Sequence, residues 1–188
     1  RVFGSYVLHH SIGAGGMGRW FARAFDRLGE VAVHDIRPAR MRIIAGVRRM
    51  VGLSELGDFK PDFLLNAVDI RSTVKVFRTA VPFLPPGCIL ADIASIKEGL
   101  CSFYRESNFS FVSFHPMFGP RTGFSGRLRK ESVVIVSESH PLGRDIVRRL
   151  FAPLGVEITE LPFDQHDTEM AASLSLPLPS AYCLAACR

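Results

Sequence analysis

Cysteine is scarce in this chain of 188 residues: there are four, and none lies in a C-x-x-C pair. Cys183 and Cys187 stand four apart and would share one helix face, but two thiols without further nearby ligands make a poor zinc site, so no metal is expected. Cys88 falls in an apolar run read as a buried strand, where cysteine behaves as a small hydrophobe. Reduced thiols in a cytoplasmic setting are the simplest account. A run of about 18 uninterrupted apolar residues is also missing, which argues against a membrane-spanning helix. The opening segment carries His9, His10 and Ser11 and reads as a strand rather than a signal peptide. Internal repeats and low-complexity tracts are absent. The chain opens on Arg1 rather than Met and stops within an apolar stretch, so both ends read as cut.

What is present supports a real core. Hydrophobic residues make up 47% of the chain, and the length suits one α/β domain, or one domain plus the start of another. The net charge is 23 − 18 = +5. Apart from a short cluster at Arg127, Arg129 and Lys130, the basic residues are scattered, and most read as a solvated surface. No stacking platform or recognition motif accompanies them, so nucleic acid is not an expected partner. Positive potential also favours anionic small molecules.

Apolar runs at 6–12, 31–35, 63–68, 89–93, 109–114, 133–136 and 156–161 are short and often β-branched, as strands covered on both faces should be. Helical spacing separates many of them. Trp20, Phe21, Ala24, Phe25 and Leu28 share one face, with Gly29 able to end that helix, and residues 73–83 and 142–154 read as further helices. This alternation predicts a doubly wound, mostly parallel sheet of Rossmann type with helices on both sides. After Pro162 the strand signal stops. Asp164 can cap a helix, and Pro177 and Pro179 should break or kink it. Residues 1–163 are therefore expected to form a dinucleotide-binding domain, and 164–188 the beginning of an all-helical one.

The run Gly13-Ala14-Gly15-Gly16-Met17-Gly18 fits G-x-G-x-x-G and has the context that pattern needs, a strand before it and an amphipathic helix after it. Gly13 permits the tight turn, Gly15 admits a pyrophosphate, and Gly18 lets the helix pack on the strand. The helix N-terminus, which includes Gly16 and Met17, offers free N–H groups to phosphate. Asp35 closes the second strand, where a carboxylate accepts from the adenosine ribose and repels a 2′-phosphate. NAD is thus favoured over NADP, with Arg37 softening the preference. The polar His9-His10-Ser11 stretch is unusual for a central strand and reads as a satisfied or partly exposed histidine pair rather than a ligand pair.

Two further segments leave neighbouring strands at the edge where open α/β sheets bind ligands: Asp92-Ile93-Ala94-Ser95-Ile96-Lys97-Glu98-Gly99 and Phe114-His115-Pro116-Met117-Phe118-Gly119-Pro120. Ser95 and His115 would then face one crevice. More plainly, His115 reads as a structural histidine, Ser95 as the cap of a helix beginning near Lys97, and Lys97 as a solvated residue or an anion contact.

Together with Arg19-Trp20-Phe21-Ala22 and His166-Asp167 followed by Met170-Ala171, these motifs resemble the prephenate dehydrogenase family, particularly its archaeal-type members. The resemblance runs over about residues 5–180. It implies NAD-dependent oxidative decarboxylation of prephenate to 4-hydroxyphenylpyruvate in tyrosine biosynthesis, with arogenate dehydrogenation as the near alternative and NADP as an alternative cofactor. His115 would be the catalytic histidine that draws off the ring hydroxyl proton, and Ser95 would orient it and touch the nicotinamide. The family's substrate-gripping arginine lies in its helical domain, which also forms a homodimer interface. Arg121 is the substitute within this chain, and Lys97 a second candidate for substrate contact. Near Pro177, where the family often has histidine, this chain has Ser175 and Leu178. Two other readings share the scaffold: a hydroxyacid- or imine-type reductase, and a non-catalytic nucleotide-binding module or truncated copy.

Overall fold

The computed structural model describes residues 5–10, 16–42 and 45–175. In chain order its elements are β1 (Ser5–His10), α1 (Gly16–Phe25), β2 (Glu30–Asp35), α2 (Pro38–Met41), β3 (Arg48–Met50), α3 (Leu56–Phe59), β4 (Phe63–Asn66), α4 (Thr73–Ala80), β5 (Ile89–Asp92), α5 (Leu100–Ser107), β6 (Phe111–Pro116), α6 (Pro120–Ser125), β7 (Ser132–Val136), α7 (Pro141–Phe151), β8 (Glu157–Leu161) and α8 (Phe163–Ser175). The strands form one eight-stranded sheet in the order β3-β2-β1-β4-β5-β6-β7-β8. Pairing is parallel from β3 to β6 and again between β7 and β8; only β6 and β7 run antiparallel. The first six strands follow the doubly wound order 3-2-1-4-5-6, in which ligands bind beyond the carboxyl ends of the strands.

Strand periodicity divides the core into two layers. Val31 and Val33 of β2, Phe63 and Leu65 of β4, Ile89 and Ala91 of β5, and Val112 and Phe114 of β6 meet Trp20, Phe21 and Phe25 of α1 and Val147 and Phe151 of α7. The intervening Ala32, Leu64 and Leu90 face the other way, onto Leu56, Phe59, Phe77, Phe103 and Tyr104. Because successive side chains alternate faces, strands apolar at every position are sealed on both sides. Phe21, Phe25, Phe63 and Phe114 have no exposed surface. Replacing any one of them by Ala would cost about 3–5 kcal/mol.

The structure departs from the sequence reading in several places. β3 has no apolar run: Arg48 and Arg49 are exposed and only Met50 is buried, as fits a short, charged edge strand. β6 lies two residues later than the apolar run suggested, after Asn108 ends α5 in a left-handed conformation at φ 57°. His115 and Pro116 are therefore held inside the strand, opposite Val134 and Val133 of β7. α1 stops at Phe25, and Gly29 N closes back onto the Phe25 carbonyl at 3.2 Å. α5 begins at Leu100 rather than near Lys97, so Ser95 caps no helix. α8 is continuous to Ser175, while Pro177, Pro179, Leu178, Gly13 and Gly15 lie outside the described residues. No helix among the described residues is long and apolar enough to cross a membrane.

Candidate active site

The first turn of α1 supplies Gly16, Met17 and Gly18, with both glycines buried and no acidic side chain to repel phosphate. α6 sits directly on this turn. A Cβ on Gly16 would fall 2.1 Å from Cβ of Pro120, and one on Gly123 would fall 2.9 Å from Cδ1 of Trp20. The segment that leaves β6 after His115 is thus folded back against the glycine-led helix. On the next strand over, Asp35 ends β2 opposite His10 at the end of β1. Its side chain is 3% exposed, and Oδ1 accepts from Arg37 N at 2.7 Å. From β2 to β6 the sheet spans four strand spacings, about 19 Å. An extended dinucleotide laid along the carboxyl edge would reach from Asp35 to His115. Small, acid-free turn and terminal carboxylate together fit such a group.

Around His115 the chain builds a buried polar cluster. Asp92, fully buried at the end of β5, accepts from Ala94 N at 2.9 Å and Lys97 Nζ at 2.8 Å through Oδ1, and from Tyr104 OH at 2.7 Å through Oδ2. Lys97 is 2% exposed, and its ammonium also donates to the carbonyl of Phe114, the residue before His115, at 3.0 Å. Its backbone N–H donates to both oxygens of Asp167, at 2.8 and 3.0 Å. Asp167 in turn pairs through Oδ1 with Nδ1 of the fully buried His166 at 2.7 Å. The His166 and His115 rings lie 5.4 Å apart.

These neighbours set the protonation states. Burial, then the positive charge of Lys97, then His166, push the His115 imidazole down to about 4, against the pull of Asp92 and Asp167. Burial also lowers His166, opposed chiefly by its bond to Asp167. Lys97 is lowered by burial, with the Asp92 carboxylate working against it, and Tyr104 is raised by burial and then by Asp92. Both histidines are therefore neutral near pH 7.

Of the residues singled out in the sequence, the structure brings His115, Lys97 and the first turn of α1 to one edge of the sheet. The Lys97 ammonium is buried against Asp92 and the Phe114 carbonyl, and ties the ends of β5 and β6 together. Ser95 is exposed beside the cluster, and no hydrogen bond joins it to His115. Arg121 is exposed in the first turn of α6. Asp92, Tyr104, His166 and Asp167 complete the site, although sequence reasoning gave them no role in it. The adjacent His-Asp pair was the available signal.

A doubly wound sheet with a glycine-led first helix, a terminal carboxylate on β2 and a neutral imidazole at the carboxyl edge defines a nucleotide-binding domain of the dehydrogenase class. Residues 23–159 match the family model described as prephenate dehydrogenase, nucleotide-binding domain, and the chain belongs to that family. It is 29% identical over 171 residues to a probable arogenate/prephenate dehydrogenase of Methanocaldococcus jannaschii, covering 84% of this chain and 37% of that protein. It is 25% identical over 177 residues to the chloroplastic arogenate dehydrogenase 1 of Arabidopsis thaliana, covering 86% of this chain and 27% of that protein. The chain thus spans well under half the length of these two relatives. Prephenate dehydrogenase from A. aeolicus, solved with hydroxyphenyl propionate and NAD+, has the same fold, with a TM-score of 0.72 at 18% identity over 92% of this chain and 69% of that one.

Proposed function

We propose that this chain is the nucleotide-binding part of an NAD-dependent enzyme that oxidises and decarboxylates prephenate to 4-hydroxyphenylpyruvate. The observation that carries the proposal is His115: a neutral imidazole fixed in β6, at the end of a segment that packs onto the first turn of α1. When bound, NAD supplies the hydride acceptor. Asp35 holds the adenosine ribose, and the run Gly13, Gly15, Gly16, Met17 and Gly18 takes the pyrophosphate, next to the acid-free first turn of α1. His115 accepts a hydrogen bond from the ring hydroxyl and takes its proton as the same carbon gives up hydride. Carbon dioxide leaves with its bonding electron pair remaining in the ring, which becomes aromatic. Ser95 is assigned to the nicotinamide end, and Arg121, exposed in the first turn of α6, to a substrate carboxylate. Positive net charge draws in both anions.

Arogenate is the second reading, favoured by the match to the plant arogenate dehydrogenase. The test is substrate-dependent NADH formation by the complete protein, run with prephenate and with arogenate. Turnover of prephenate supports the first reading and turnover of arogenate alone the second. NAD binding without turnover of either contradicts both.

A further inference from the structure

Two buried nitrogens in the site have no hydrogen-bond partner: Nδ1 of His115 and Nε2 of His166. A polar atom buried without a partner forfeits its hydration, so a matched pair left open is unusual unless it is used. The two rings are 5.4 Å apart at 53°. Two imidazoles sharing an N–H···N bond have centroids about 5 Å apart, so a small ring rotation, or one water, joins them.

The chemistry of the neighbours decides which nitrogen donates. The Asp167 carboxylate only accepts, and it lies 2.7 Å from His166 Nδ1. His166 Nδ1 therefore carries the proton, and Nε2 is left as a lone pair. Asp167 is itself held against rotation by the backbone N–H of Lys97 at 2.8 and 3.0 Å. An acceptor at His166 Nε2 complements a donor at His115 Nδ1, and a neutral His115 protonated on Nδ1 has its lone pair on Nε2.

We propose that His166, oriented by Asp167, is a positioning residue that fixes the tautomer of His115, leaving Nε2 as the basic nitrogen. This rests on the reading of His115 as the base. The role assigned to Ser95 from sequence, orienting His115, then falls to α8. A residue of α8, 166 − 115 = 51 positions downstream, thereby determines which edge of the catalytic ring faces the substrate.

Imidazole ¹⁵N shifts of the complete protein with labelled histidine test this without any substrate. The expected wild-type spectrum shows His115 protonated on Nδ1. A His115 protonated on Nε2 overturns the proposal before any variant is made. His166→Leu removes the acceptor and should move His115 toward the Nε2–H tautomer, with kcat falling on the order of 10²–10⁴-fold and NAD affinity little changed. His166→Gln keeps an amide oxygen near the place of Nε2 and should restore much of both. If His166→Leu folds and leaves the His115 shifts where they were, the proposal is wrong. Full activity of His115→Asn would instead overturn the base assignment, while the tautomer result stood on its own.

Discussion

Burying an imidazole beside a buried ammonium penalises its charged form twice, through lost hydration and through repulsion. His115 shows both, with a value near 4 against an ordinary 6.5. Activity that needs the neutral ring should therefore stay flat in kcat/KM through pH 6.5 and fall only toward pH 4; a limb near 6.5 would contradict the burial of His115. Stability carries the same sign. The unfolded chain takes up a proton near 6.5 and the folded one does not, so the His115 contribution is complete above pH 6.5. It is lost as pH falls from 6.5 to about 4, by about 3 kcal/mol. His166 is lowered as well and acts in the same direction. Denaturant midpoints measured across that interval check it. Lys97→Met tests the ion pair with Asp92. It leaves a buried carboxylate unpaired and should cost about 3–5 kcal/mol, and it should raise the His115 value because a neighbouring positive charge is gone. Unchanged stability together with an unchanged histidine titration would show that Lys97 does not govern the cluster.

At the scale of elements, the contact between α6 and α1 joins the two halves of the site. Gly16 is required there by close approach: the ring of Pro120 occupies the space a side chain would need. Gly16→Ala is expected to lower stability by about 1–3 kcal/mol and to weaken NAD binding, because the turn proposed to hold the pyrophosphate must shift. Urea unfolding and NAD titration measure both, and a variant equal to wild type in each would show that the packing is not tight. Strands such as 31–35 and 63–66 were legible because each opens on three consecutive apolar residues, Val31-Ala32-Val33 and Phe63-Leu64-Leu65, which fill both faces. β3 was not, since pairing on one edge needs no apolar signal. The late start of β6 was hidden in the left-handed turn at Asn108, which reads in sequence as ordinary loop.

At the scale of the whole molecule, the sequence showed the candidate carriers of chemistry but not the residues packed around them. His115, Asp35 and the glycines of α1 stand out because each sits at a strand end or helix start within a short motif. The cluster around His115 is assembled from β5, α5, β6 and α8, and its bond from Lys97 to Asp167 spans 70 residues. No local pattern encodes such a contact. For the same reason Lys97 read as a solvated or anion-binding residue, when folding buries it against Asp92 and the Phe114 carbonyl. The proposed reaction depends most directly on His115 acting as the base beside bound NAD. The measurement that tests it is NAD affinity and prephenate turnover in the complete protein carrying His115→Asn. The predicted result is affinity nearly unchanged and turnover lower by on the order of 10²–10⁴-fold; turnover at the wild-type rate would contradict it.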